Sequence, residues 1–259
     1  MKLAISGKGG VGKTTLAALL AQEAVSRGYK VLMVDADPAA NLAATLGIEE
    51  EVTPLAELRD LIKERAGEAA GLIKLNPKVD DIPDRYSAYK DGIRVVVLGA
   101  IRKGGGGCAC PESSFLRGLL LHLLLDRDEL IILDMEAGIE HLGRGTAQGV
   151  EALLVVVDPD LRSLQTAARI AKLAGEIGLR RVLAVGNRVR DLSEREAIAR
   201  GLPDGLPLLG SISYSEGLRL LASDRKGISM NEPLRREVEV VFTALTELVA
   251  KPDSSQLRT

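Results

Sequence analysis

Aromatic side chains are nearly missing from this chain: two Phe, four Tyr and no Trp in 259 residues. With a hydrophobic fraction of 46%, its core must be assembled from Leu, Val, Ile and Ala. A strong charge of one sign is missing too. The formal net charge of −2 argues against a nucleic-acid or membrane surface as the main partner. Long apolar runs are absent: the longest block, Leu116 to Leu125, is interrupted by Arg117 and His122 and is too short to span a bilayer. The first residues enter a glycine-rich loop at once, leaving no room for an export signal, so a cytoplasmic location is expected. Two cysteines do not make a disulfide framework.

What is present is organised around Gly7-Lys8-Gly9-Gly10-Val11-Gly12-Lys13-Thr14-Thr15. It is a phosphate-loop pattern, with an apolar strand before it (Lys2 to Ser6) and a helix after it (Thr15 to Ala21). Glycines let successive N–H groups turn toward phosphate oxygens, and the new helix adds its positive end. Lys13 then supplies charge to the β- and γ-phosphates of ATP or ADP, and the Thr14 hydroxyl is a Mg²⁺ ligand.

Strands and helices alternate along the rest of the chain. Apolar strands are expected at 30–34, 94–99, 129–134, 152–157, 181–187 and 206–212, which with the first makes seven. Helices are expected over 39–75, with Gly47 and Gly67 as stops and Thr53-Pro54 as a start, and near 111–125, 160–177, 192–201, 215–223 and 233–250. Residues 76–92 are polar and rich in turn formers, which reads as a surface excursion. Val238, Val241, Leu245 and Leu248 form one apolar stripe, so the last helix should pack on a core. The fold class is therefore α/β, a doubly wound, mostly parallel seven-stranded sheet with helices on both faces. One domain over 1–259 is expected, with 251–259 as a loosely packed tail. Such a sheet gathers ligands at the carboxyl ends of its strands.

Two acidic strand ends belong to that edge. Asp37 is extended because Pro38 follows it, which sets a carboxylate at the edge where phosphoryl transfer needs one, whereas Asp35 could simply end its strand. Asp134 closes an apolar strand as a Walker B carboxylate, holding Mg²⁺ through a water, and the Gly138 N–H could sense the γ-phosphate. His141, in the loop that follows, is a weaker metal candidate than a packing residue. Asn187 ends another strand, with a donor and an acceptor that match an adenine edge. Ser211 to Glu216, with Ile212 among them, should flank the base.

Cys108 and Cys110 follow four glycines. In extended backbone residues two apart face the same side, so both sulfurs can address one ion. Two thiolates are half of a four-ligand Ni²⁺ or Zn²⁺ site, and a homodimer with the pair on its two-fold axis would supply the rest. A redox pair or plain loop filler are the alternatives.

Lys8 is surplus to an ordinary phosphate loop. With it, the motif resembles that of the deviant phosphate-loop ATPases, the family of MinD, ParA and the nitrogenase iron protein. That resemblance implies catalysis by Asp37, Lys8 and Lys13, with Lys8 reaching the partner's nucleotide in an ATP-dependent homodimer, and it supports the adenine role of Asn187. The C-x-C pair, Asn76-Pro77-Lys78-Val79-Asp80 and the stretch Asp134 to His141 narrow the likeness to CooC-type nickel-insertion ATPases. That likeness implies a nickel cargo held by paired C-x-C motifs and delivery to apo carbon monoxide dehydrogenase or a related nickel enzyme. A MinD/ParA-like regulatory or partitioning ATPase and an iron–sulfur carrier ATPase are the rival readings.

Overall fold

The computed structural model describes residues 1–67, 73–99, 111–139, 142–221 and 227–251. Cys108, Cys110, His141 and the tail from 252 lie outside them. Eight strands form one sheet: β1 (Lys2–Gly7), β2 (Val31–Ala36), β3 (Ala88–Lys90), β4 (Ile93–Val97), β5 (Leu130–Met135), β6 (Ala152–Val157), β7 (Val182–Val189) and β8 (Leu208–Ser213). Their order is β3-β4-β2-β5-β1-β6-β7-β8. Every neighbouring pair is parallel except β3 with β4.

The expectation of seven strands is corrected by β3, which lies inside the expected surface excursion. It is too short to show a period of its own and exists as the partner of β4. The link is the two-residue turn Asp91-Gly92, with φ 48° and 85°. An Asp-Gly pair is the signature of such a hairpin, so the signal was present in the sequence. The described residues of 39–75 are also less helical than expected. They hold α2 (Leu42–Thr45), a 3-10 turn (Leu55–Glu57) and α3 (Arg59–Ala66), while Gly67 takes the C-cap of α3. The other expected helices are found as α5 (Pro111–Leu125), α7 (Leu161–Glu176), α8 (Leu192–Gly201), α9 (Glu216–Leu221) and α10 (Glu232–Ala250). The helix expected after the phosphate loop is α1 (Lys13–Ser26), while α4 (Ile82–Tyr86), inside the expected surface excursion, and α6 (Arg144–Ala147) were not expected.

Alternation along the strands sends side chains to two cores. Leu3, Ile5 and Met33 face α1, α2 and α10, whereas Ala4, Leu32 and Val34 face α3, α5 and α7. The two phenylalanines are divided between them, Phe242 in the first core and Phe115 in the second, both fully buried. Four of the central strands are buried at every position, as in a sheet covered on both sides. Val238, Val241 and Leu245 are fully buried and Leu248 packs beside them, so α10 is a core helix as its stripe indicated. Among the described residues no helix is long and apolar enough to cross a membrane.

Phe242 also meets the Tyr29 ring edge-on at 5.8 Å and carries the Arg27 guanidinium 5.0 Å above its face. Phe242→Ala should therefore lower unfolding stability by about 3–5 kcal/mol, read from the urea midpoint. A loss below about 1 kcal/mol would show that the core closes over the gap.

Candidate functional site

The chain turns into the phosphate loop after β1, which lies between β5 and β6. Strands added after β1 go to one side of it and later ones to the other, so the loop stands at the switch point of the sheet. Gly12, the N-cap of α1, has φ 98°, and a Cβ there would lie 2.2 Å from the Asn187 amide nitrogen. Gly7, with φ 151°, comes so close to β6 that a Cβ would meet the Val156 carbonyl oxygen at 2.5 Å. Both positions are closed to side chains. Lys13 is buried beneath the loop, Thr14 is half-buried, and Gly9 and Gly10 are exposed above it. The Val11 N–H donates to the Lys8 carbonyl at 3.2 Å, closing the turn.

Two carboxylates stand beside this loop at the ends of neighbouring strands. Asp35 and Asp134 are register partners across β2 and β5, and Ile5 is opposite Asp134 on the other side. Both are almost completely buried. Asp35 is satisfied: Oδ1 accepts the Asp37 N–H at 3.1 Å and Oδ2 the Leu42 N–H at 2.9 Å. Burial pushes it up to about 6, against the pull of these two bonds. Asp134 is not satisfied, since neither oxygen forms a hydrogen bond of normal geometry. Burial pushes it up to about 7; Asp35 and Asp37 add to the effect, and the Thr14 hydroxyl and Lys13 oppose it. A buried carboxylate with two orphan oxygens beside a hydroxyl and a phosphate loop fits a hydrated Mg²⁺. Asp37 is half-buried at the rim, and its Oδ1 accepts the Ala39 N–H at 2.9 Å.

Gly138 lies over the end of β1. Its N–H donates to Ser6 Oγ at 3.3 Å, and that hydroxyl donates back to its carbonyl at 2.6 Å. The donor expected to sense phosphate is thus held on Ser6. Lys8 is also occupied. Its ammonium pairs with Asp160, the residue that caps α7 by accepting from the Arg162 N–H. An Asp before a helix is legible as a cap, but its pairing with Lys8, 152 residues away, is not.

Next to the loop is a cavity of about 530 Å³, lined in part by Gly12, Asp158, Asn187, Arg190, Ser213 and Tyr214. The size suits a nucleoside. Asn187 is buried, and its amide N–H donates to the Val11 carbonyl at 2.7 Å, tying the cavity to the phosphate loop. Arg190 sits 5.1 Å over the Tyr214 ring and pairs with Glu194. Asp158 Oδ1 is buried without a partner at the cavity wall. Ile212 itself points into the core, and the residues after it line the cavity. Elsewhere, His122 Nδ1 lies 3.1 Å from Asp126 and takes no part in this edge. Among the described residues no group of three or more His, Cys, Asp or Glu is placed to hold a metal ion.

A phosphate loop at the switch point, a free Walker B carboxylate and a nucleoside-sized cavity define an ATP-binding phosphate-loop ATPase. The model of the CobQ/CobB/MinD/ParA nucleotide binding domain matches residues 2–228, and the chain belongs to that family. An uncharacterized ATP-binding protein of Methanocaldococcus jannaschii is 42% identical over 96% of this chain and 98% of its own. The carbon monoxide dehydrogenase accessory protein CooC of Rhodospirillum rubrum is 39% identical over 96% of this chain and 97% of its own. The solved MinD cell division protein of Aquifex aeolicus shares the fold, with a TM-score of 0.67 at 20% identity over 98% of this chain and 99% of that one.

The raised pKa of Asp134 has a consequence for the nucleotide-free protein. Between its unfolded value near 3.8 and its folded value of about 7 the native state binds more protons than the unfolded one, so this group's contribution to stability falls as pH rises through that window. Asp134→Asn removes the buried charge. At pH 8 the variant should be more stable than the parent by on the order of 1–4 kcal/mol, with the difference vanishing near pH 4, while Mg²⁺-dependent ATP hydrolysis is lost. Denaturant melts at the two pH values check it; a variant less stable at pH 8 would contradict the assignment.

Proposed function

We propose that this chain is a dimerising, Mg²⁺-dependent ATPase that carries nickel to an apo-metalloenzyme, most closely carbon monoxide dehydrogenase. The observation that carries the reading is the end-to-end likeness to a carbon monoxide dehydrogenase accessory protein in a chain that also has Cys108-Ala109-Cys110. A thiolate pair on a glycine-rich loop is idle in a purely regulatory ATPase.

In this reading the loop N–H groups and Lys13 hold the β- and γ-phosphates, and the Asn187 cavity takes the base and ribose. Thr14 and, through water, Asp134 would hold Mg²⁺, which neutralises charge on the phosphates when bound. Asp37 accepts a hydrogen bond from the attacking water and aims it at the γ-phosphorus, giving ADP and phosphate. Lys8 leaves Asp160 when two ATP-loaded chains meet and places its charge on the partner's phosphates. Each chain contributes Cys108 and Cys110, so two chains complete four thiolates around one Ni²⁺, with Zn²⁺ able to occupy the same sulfurs.

Cys108→Ser or Cys110→Ser should abolish tight nickel binding and leave ATP binding unchanged, and the parent should hold one ion per two chains. Metal analysis after anaerobic purification decides: one ion per monomer removes the bridging site, and acid-labile sulfide with broad visible absorption points to an iron–sulfur carrier. A second test separates the lysines. Lys13→Ala should lose nucleotide affinity itself. Lys8→Ala should bind ATP nearly as the parent does, yet form no ATP-dependent dimer by light scattering and hydrolyse roughly tenfold more slowly or worse. A Lys8→Ala protein that dimerises and turns over normally would make Lys8 an ordinary loop residue.

A further inference from the structure

Asp35 is a charged side chain with no exposed surface, and the mechanism above gives it no task. A residue that only ends a strand needs no buried carboxylate, because burying one costs stability unless it is hydrogen-bonded. Its neighbour in the sheet shows the contrast. Asp134, at the same level in β5, keeps both oxygens unpartnered, as a cation site requires. Asp35 has committed both of its own, one to the Asp37 N–H and one to the Leu42 N–H. Through these two bonds it spans the loop that carries Asp37.

That loop has little else to fix it. Leu42 opens α2, a helix of only four residues, and the adjacent Asn41 side chain makes no capping bond. The first N–H of α2 is satisfied from seven residues upstream, by Asp35. Between the two ties the chain makes a tight turn, with the Ala40 N–H on the Asp37 carbonyl at 2.9 Å. Ala40 has φ 47°, a left-handed conformation unfavourable for alanine. Within the turn the Asp37 carboxylate uses only Oδ1, on the Ala39 N–H, and its Oδ2 makes no hydrogen bond among the described residues.

We propose that Asp35 is a positioning residue for ATP hydrolysis, whose buried carboxylate clamps both ends of the Asp37 loop so that the Asp37 side chain is held at the phosphate edge. The clamp is charge-assisted at both N–H groups, which makes each bond stronger than a neutral one. Held in this way, Asp37 meets the water without first ordering a mobile turn. This inference rests on the mechanism proposed above, in which Asp37 orients the water.

Asp35→Asn tests it. The amide is the same size and neutral, so the core tolerates it, but it offers one acceptor and sets a donor against the second N–H. ATP turnover should fall roughly tenfold or more while ATP affinity stays within about twofold. The double variant Asp35→Asn/Asp37→Ala should be no slower than Asp37→Ala alone, since both remove the same function. Hydrogen exchange gives a readout apart from activity. In the nucleotide-free parent the amides of Asp37 and Leu42 should be protected, and in Asp35→Asn they should exchange roughly tenfold or more faster, with β5 amides unchanged. Unprotected Asp37 and Leu42 amides in the parent would overturn the clamp without any variant. So would parental turnover in Asp35→Asn, equal losses of turnover and affinity, or additive losses in the double variant. If Asp37→Ala itself turns over normally, the hydrolytic mechanism falls, and the positioning role falls with it; if Asp37→Ala is slow and Asp35→Asn is not, only the clamp is wrong.

Discussion

Parallel pairing of β2, β5 and β1 is the constraint on which the site depends. It fixes Asp35 opposite Asp134 and Ile5 opposite Asp134, so two carboxylates and the start of the phosphate loop end at one level of the sheet. Nothing in their sequence positions brings these residues together, because 99 residues separate the aspartates. Neither could move to a neighbouring strand position without reversing the face on which its side chain lies.

The cost of this placement is carried by the two covered faces. Fully buried central strands, α1 and α10 on one side and α5 and α7 on the other, make the edge rigid enough to keep acidic groups out of water. An unpartnered carboxylate in such a place opposes folding. Its two unpartnered oxygens fit a hydrated cation, and the neighbouring Asp35 shows what a buried carboxylate looks like when backbone N–H groups satisfy it instead. Stability and function are thus traded at adjacent positions of one sheet.

Two groups at the phosphate edge are held on internal partners. Lys8 rests on Asp160, and the Gly138 N–H rests on Ser6. Asp160 is half-exposed at the start of α7, whereas Ser6 is fully buried at the end of β1.

Much of this was legible in the sequence for a simple reason. Phosphate loops are local: the glycines, Lys13 and Thr14 are contiguous, and their geometry follows from one strand, one turn and one helix. The apolar strands ending in Asp37-Pro38 and Asp134, and the stripe on α10, were likewise readable because burial imposes a period on a single segment. β3 was marked in the sequence only by the Asp91-Gly92 turn that follows it, because three residues have no period and the strand exists by pairing with β4. The sequence alone could not assign Asp35 its two backbone donors, give Lys8 its partner Asp160, or set the Asn187 amide on the Val11 carbonyl, 176 residues apart. Those contacts join segments distant in the chain, and hydrogen bonds at such separation are decided by the packing of the sheet rather than by any local preference. Motif and periodicity determined what kind of chemistry this chain carries; only the tertiary structure decided which carboxylate is free and which is engaged.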